Sequence, residues 1–196
     1  MKTPEEIKKI EANVKSYLAD GLFQKGDYRH LTDFYLQAAK KTLLTADSLY
    51  QLSENKKLKK EFKLLEDFET YLWVITTAYY AMFYAVNALC SKHGLKMGGR
   101  IVHKVTGDVF YYYFVRNNKI AKEMFLIYEE AQEQALNLTA TEYPRRAEEL
   151  AENLEWERNK RHKFQYNTTE MMKKSYAQTS LQRAIDFVNQ VEILIK

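Results

Sequence analysis

The run Ala78-Tyr79-Tyr80-Ala81-Met82-Phe83-Tyr84-Ala85-Val86-Asn87-Ala88-Leu89 decides the fold. Extended in both directions it shows Leu65, Phe68, Leu72, Ile75, Tyr79, Met82, Val86 and Leu89 at alternating steps of three and four, one apolar seam along a helix. A second stripe, Val74, Ala78, Ala81, Ala85 and Ala88, is small, and small side chains let a neighbouring helix come close. Trp73, Thr77, Tyr80, Tyr84 and Asn87 take the remaining face. The spacing predicts one helix from about Phe62 to His93. A helix apolar around most of its circumference belongs at the centre of a bundle.

Upstream, Thr3, Pro4 and Glu6 predict a capped helix start, with Ile7, Ile10, Val14 and Tyr17 inward and Gly21 closing the element. After the loop at Gly26, a second helix is expected from about Tyr28 to Leu52. Its inward stripe is Leu31, Tyr35, Ala38, Thr42, Thr45, Leu49 and Leu52. Lys56, Lys57, Lys59, Lys60 and Lys63 then read as a solvated connection and helix start, with an RNA-binding patch as the alternative on charge alone. Downstream, Gly94, Gly98 and Gly99 end the central helix. Arg100 to Val115 is expected to be helical on Val102, Val105, Val109, Tyr112 and Tyr113; its β-branched and aromatic residues suit a strand equally, but no partner strand is visible. Asn117-Asn118 marks the next break. A fifth helix carries Ile120, Met124, Ile127, Ala131, Ala135 and Leu138. Thr141 with Pro144 starts a sixth on Ala147, Leu150, Ala151 and Leu154. Asn167 with Glu170 caps a last helix on Ala177, Leu181, Ala184, Val188, Val191 and Ile195.

Composition agrees. Six Gly and two Pro in 196 residues leave few breaks, so the elements are long and the class is all-α. The length suits one domain, residues 1 to 196. A single cysteine, Cys90, excludes an internal disulfide framework and suits a reducing compartment. The charged N-terminus lacks a signal-like apolar stretch, and the run Leu72 to Cys90 is interrupted by Tyr, Thr and Asn, so a cytoplasmic protein without a membrane span is expected. A net charge of +4 permits an acidic partner without demanding one.

The chemistry-bearing residues exclude more than they assert. His30, His93, His103 and His162 are scattered, and Asp27 with His30 is the single acidic-x-x-His match, too little for a di-iron or zinc site. No metal and no cofactor is expected, and no phosphate-binding glycine signature is present. The densest cluster is Arg158-Asn159-Lys160-Arg161-His162-Lys163-Phe164-Gln165-Tyr166. On a helix, Arg158, His162 and Tyr166 share one face with Arg161 beside them. Such cations commonly serve to complement a helix C-terminus. Converging on a phosphate, they would instead let His162 take a ribose proton while Arg158 stabilises the phosphorus centre. Tyr80 and Tyr84 are candidate ligand or dimer contacts, against a packing role as the ordinary alternative. His103 is either a phosphate contact at a helix N-terminus or a turn residue. The run Tyr111-Tyr112-Tyr113-Phe114 must expose some of its rings, and an oligomer interface would hide them.

Two of these segments carry a resemblance. Ala78 to Leu89 resembles the central helix of HEPN domains, with its Ala-Tyr-Tyr-Ala-x-Phe core, and His103 is similar to the His that often opens that family's next helix. Arg161 to Tyr166 is similar to an Arg-x-x-Ala-Asp-Tyr pattern of small prokaryotic HEPN bundles, with Phe164 in place of Ala and Gln165 in place of Asp. The likeness spans residues 30 to 195, leaving 1 to 26 as an N-terminal extension helix. It implies an up-and-down bundle with a four- to five-helix core, a homodimer with its site at the subunit cleft, and a nucleotidyltransferase-type antitoxin as partner. Active members share an Arg-x4-6-His motif. Here three residues separate Arg158 from His162 and two separate Arg100 from His103, so neither pair meets it. Asn159 after Arg158 does echo the Arg-Asn start of active sequences. Many members of the matching subgroup lack the motif altogether, which favours a binding role. The first expectation is therefore a nucleotide- or RNA-binding module with Arg161, Tyr166, Asn159, His103, Tyr80 and Tyr84 at the ligand. A metal-independent endoribonuclease of toxin–antitoxin type using Arg158 and His162 is the alternative, and a structural interaction bundle without a ligand is the third; whether the chain is an enzyme stays open.

Overall fold

The computed structural model describes residues 2–99, 101–117, 120–142 and 170–196, with side chains described for 2–99, 101–117, 120–136 and 173–196. Helix α1, Pro4–Ala19, starts on the predicted capping box: the Glu6 amide donates to Thr3 Oγ1 at 3.2 Å and the Thr3 amide to Glu6 Oε2 at 2.7 Å. Strand β1 is Phe23–Lys25, followed by a single 3-10 turn at Arg29–Leu31 and then α2, Thr32–Glu54. A short α3, Lys56–Glu61, is capped by Asn55. Next come α4, Tyr71–Lys92, strand β2, Leu95–Met97, and α5, Val102–Phe110. A π-helical turn at Tyr111–Val115 leads to α6, Lys122–Glu142, and the last described helix is α7, Glu170–Ile195.

Helix α4 is the axis. Its apolar seam from Ile75 to Leu89 and all five small residues are buried, and α2 forms the most extensive helix pair with it. Side-chain pairs fix the directions. Ser53 and Glu54 at the end of α2 meet Thr70 and Tyr71 at the start of α4, so α2 and α4 are antiparallel. Lys173 pairs with Glu69 and Lys40 with Glu192, so α7 runs parallel to α4. Arg183 pairs with Glu130 while Phe187 stacks on Tyr128, so α6 opposes α7. The result is the expected all-α, up-and-down bundle. The N-terminal helix does not stand apart from it: Asn13 and Tyr17 both donate to Asp108 of α5, at 2.9 and 3.0 Å.

Four expectations are corrected. The inward stripe of α2 is Thr32, Leu36, Ala39, Ala46 and Ser53, one position on from the predicted one, because that is the face α2 packs against α4 and α7. The central helix begins at Tyr71, not near Phe62. Lys63 adopts a left-handed φ of 54° and the Leu64 amide returns to the Lys59 carbonyl at 2.9 Å, which stops the preceding helix; Leu65 is 75% exposed. Two strands do exist. Phe23, Gln24 and Lys25 pair antiparallel with Met97, Lys96 and Leu95 across the C-terminal end of α4. Thr141 lies inside α6 rather than starting a further helix. The predicted sixth helix and the Asn167 cap lie outside the described residues.

Helix α4 is also long and apolar enough to cross a membrane by length and composition, but 72% of that window is buried inside the bundle. The π turn accounts for the Tyr111 to Tyr113 run. Its extra residue rotates the buried face, so that Val109 and Phe110 are covered before it and Phe114 and Val115 after it. The three tyrosines are left half-buried, with Arg116 over the Tyr112 ring and Lys25 over the Tyr113 ring.

Candidate functional site

One face of the axial helix escapes burial. Trp73 is 48% and Tyr80 37% exposed, Thr77 is half-buried between them, and Tyr84 is half-buried one turn beyond Tyr80. These positions recur at steps of four and three and so form one stripe. Asn87, read from sequence as part of that face, is buried and donates to the Phe83 carbonyl at 2.8 Å. On one side the stripe meets α2, where Tyr84 faces Tyr35. On the other it meets the start of α5 through His103.

The structure therefore brings three of the predicted ligand residues, Tyr80, Tyr84 and His103, into one neighbourhood. The His103 ring lies 4.5 Å from the Phe83 ring and edge-on to Tyr80 at 5.4 Å between centroids, and Phe83 in turn touches Tyr84. Nδ1 of His103 shares a 2.8 Å hydrogen bond with the Tyr79 hydroxyl. Burial pushes this imidazole below its ordinary value, so it is neutral near pH 7.

Beneath His103 the polar chain continues inward. Tyr79 is 1% exposed and its ring lies 5.9 Å from that of Tyr128, which is wholly buried. The two hydroxyls face one another, but that of Tyr128 makes no hydrogen bond of ordinary geometry among the described residues. Burial pushes both phenols upward, so neither ionises near neutral pH. The Cys90 thiol, likewise pushed up by burial, also acts on Tyr128.

Arg158, Asn159, Arg161, His162 and Tyr166 lie outside the described residues, as does Arg100. The nuclease pairing and half of the expected ligand set therefore have no geometry to add. Among the described residues no three metal-ligating side chains cluster.

No family model, curated protein or solved structure matches this chain.

Sequence reasoning missed two partners of the site. Phe83 is the imidazole's nearest ring and was quoted above merely as part of a motif. Tyr128 stands at helical spacing between Met124 and Ala131, both on the predicted stripe, so its burial was there to be read. It also missed a cavity of about 400 Å³ at the other end of α4. The walls there include Lys25, Gly26, His93, Gly94, Tyr113 and Phe114, and the ribbon of β1 and β2 roofs it.

Proposed function

We propose that this chain is a nucleotide- or RNA-binding module that takes a base on the aromatic face of α4. The observation that carries the reading is the exposure of Trp73 and Tyr80 on a helix otherwise committed to the core, with a half-buried imidazole beside Tyr80. Solvent-facing rings on a rigid helix are stacking platforms for unpaired bases, and a neutral imidazole adds a polar contact at their edge. The net charge of +4 suits a polyanion without making the binding purely electrostatic. Action as a homodimer or with a nucleotidyltransferase-type partner belongs to the same proposal and rests on the HEPN resemblance alone.

The test is a fluorescence and anisotropy titration with short single-stranded RNA at low and moderate salt. Trp73→Ala and Tyr80→Ala are each expected to weaken binding about tenfold, since stacking contributes roughly 1–3 kcal/mol per base. Undiminished affinity in both variants, or no binding even at low salt, refutes the reading. Incubation with the same RNA after chelation separates binding from cleavage: shortened product, lost on His162→Ala, would transfer the assignment to the endoribonuclease.

A further inference from the structure

The hydrogens along the row Tyr128, Tyr79, His103 can run in one of two directions. In the outward direction the Tyr79 hydroxyl donates to His103 Nδ1 across 2.8 Å, its oxygen is open to Tyr128, and the ring proton sits on Nε2. In the inward direction Nδ1–H donates to Tyr79, Tyr79 turns its hydrogen toward Tyr128, and the last hydrogen points into the core. Among the described residues the Tyr128 hydroxyl has no acceptor there: the rings of Phe110 and Phe187 pack on the Tyr128 ring, and the Cys90 thiol is close by. Aromatic carbon accepts nothing useful and a thiol sulfur is a weak acceptor, and the Tyr128 hydroxyl already lacks a hydrogen bond of ordinary geometry, so the inward order strands one more buried donor than the outward order does. Replacing Tyr128 does not help the inward order, because the Tyr79 hydrogen would then be stranded instead. The blind end of the row sets its direction, and one stranded donor biases the tautomer ratio about tenfold or more.

We propose that Tyr79 is a positioning residue that holds His103 as the Nε2–H tautomer, so that the aromatic face reads a carbonyl oxygen on the edge of a stacked base. Among the described residues Nε2 makes no hydrogen bond, and it belongs to a half-buried ring packed against Tyr80. A nitrogen that carries a proton donates; it is not the lone pair that a general base needs. The depressed basicity of the ring agrees, since a neutral imidazole suits an uncharged keto oxygen better than it suits a phosphate. The ligand half of this inference rests on the nucleobase reading above; the tautomer half does not.

The experiment has two arms on the full chain. The first is the 15N–1H spectrum of the imidazole rings without ligand, at pH 7.5. Wild type and Tyr128→Phe are expected to show His103 protonated on Nε2 alone, and Tyr79→Phe to show a mixture. A proton on Nδ1, a doubly protonated ring, or an unchanged tautomer in Tyr79→Phe overturns the inference, whatever the protein binds. The second arm titrates inosine and adenosine 5′-monophosphates, which differ at position 6 by a keto against an amino group. The inosine nucleotide is expected to bind about tenfold more tightly in wild type and about equally in Tyr79→Phe. Equal affinities in wild type overturn the ligand half. Binding of neither nucleotide to a protein with the stated tautomer overturns the nucleobase reading and that half with it, and leaves the proton assignment standing.

Discussion

Replacing Phe110 by alanine asks whether α5, and the imidazole at its start, is held by a single ring. Phe110 is fully buried, and its ring meets Phe114 at 6.2 Å, Phe125 at 5.9 Å, Tyr128 at 5.7 Å and Phe187 at 6.2 Å. Those partners lie on the π turn, on α6 and on α7, so one side chain ties α5 to three other elements. Phe→Ala in a close-packed core costs about 3–5 kcal/mol through lost transfer energy and a residual cavity. Four ring contacts place this site toward the upper end, since each such pair carries about 0.5–1.5 kcal/mol beyond its buried area. At about 2–4 °C per kcal/mol for a chain of this size, the midpoint of thermal unfolding should fall by about 6–20 °C. Circular dichroism melts and urea titrations measure it. Phe110→Leu, which keeps most of the volume, should cost less. His103 stands seven positions earlier, two turns back on the same face, so its ring resonances should shift in Phe110→Ala even though the two side chains are not neighbours. A loss below about 1 kcal/mol, or equal damage from alanine and leucine, refutes the account of α5 as pinned by this ring.

Three further outcomes follow from named contacts. Burial raises the Glu54 carboxyl, but hydrogen bonds from Lys174 and Tyr71 outweigh it and leave the group below its ordinary value of 4.5. A depressed carboxylate stabilises the fold above its unfolded pKa and loses that contribution as pH falls through the folded one; Glu54→Gln should therefore lower the melting point at pH 7 and narrow the drop seen between pH 7 and pH 3, and an unchanged melting point at pH 7 counts against it. Gly94 has φ +73° and an added Cβ would lie 2.6 Å from the Gly26 carbonyl oxygen, whereas Gly21 at φ +70° has open space. Urea unfolding should show Gly94→Ala destabilised by about 1–3 kcal/mol and distinctly more than Gly21→Ala, with equal losses refuting the close approach. The Cys90 thiol is buried and its pKa is pushed up, so Ellman's reagent at pH 8 should leave the native protein unlabelled and react stoichiometrically only in denaturant; native labelling within minutes would contradict the packing around Tyr128.

The parts of the fold that were legible in the sequence are those with one apolar face and one polar face. All six predicted inward positions of α7, from Ala177 to Ile195, are buried, because one helix side against α4 leaves the spacing unambiguous. The stripe of α2 was harder: Thr32, Ala39, Ala46 and Ser53 are small or polar, and their burial follows from what packs over them, Ala46 in a cluster with Val74, Ile75 and Leu181 and Ser53 bonded to Thr70, rather than from their own hydrophobicity. Phe62, Leu65 and Phe68 continue the spacing of α4 without continuing its helix, since periodicity says nothing of the left-handed turn at Lys63. Strands of three residues are too short to show a period at all. At the site, Tyr80, Tyr84 and His103 were legible as residue types, but the bond between Tyr79 and His103 joins positions 24 residues apart, and only the fold brings them together.

The ribbon over the end of α4 has a consequence for how the chain reaches its native state. Phe23 pairs with Met97, so its rungs close a loop containing α2, α3 and the whole of α4. Closing so long a span before the enclosed helices have condensed sacrifices chain entropy for a handful of backbone bonds. The clasp should form after the folding transition state, with φ-values near zero at Phe23 and Leu95, and it should be among the first segments to exchange its amide hydrogens while the rest of the molecule stays intact.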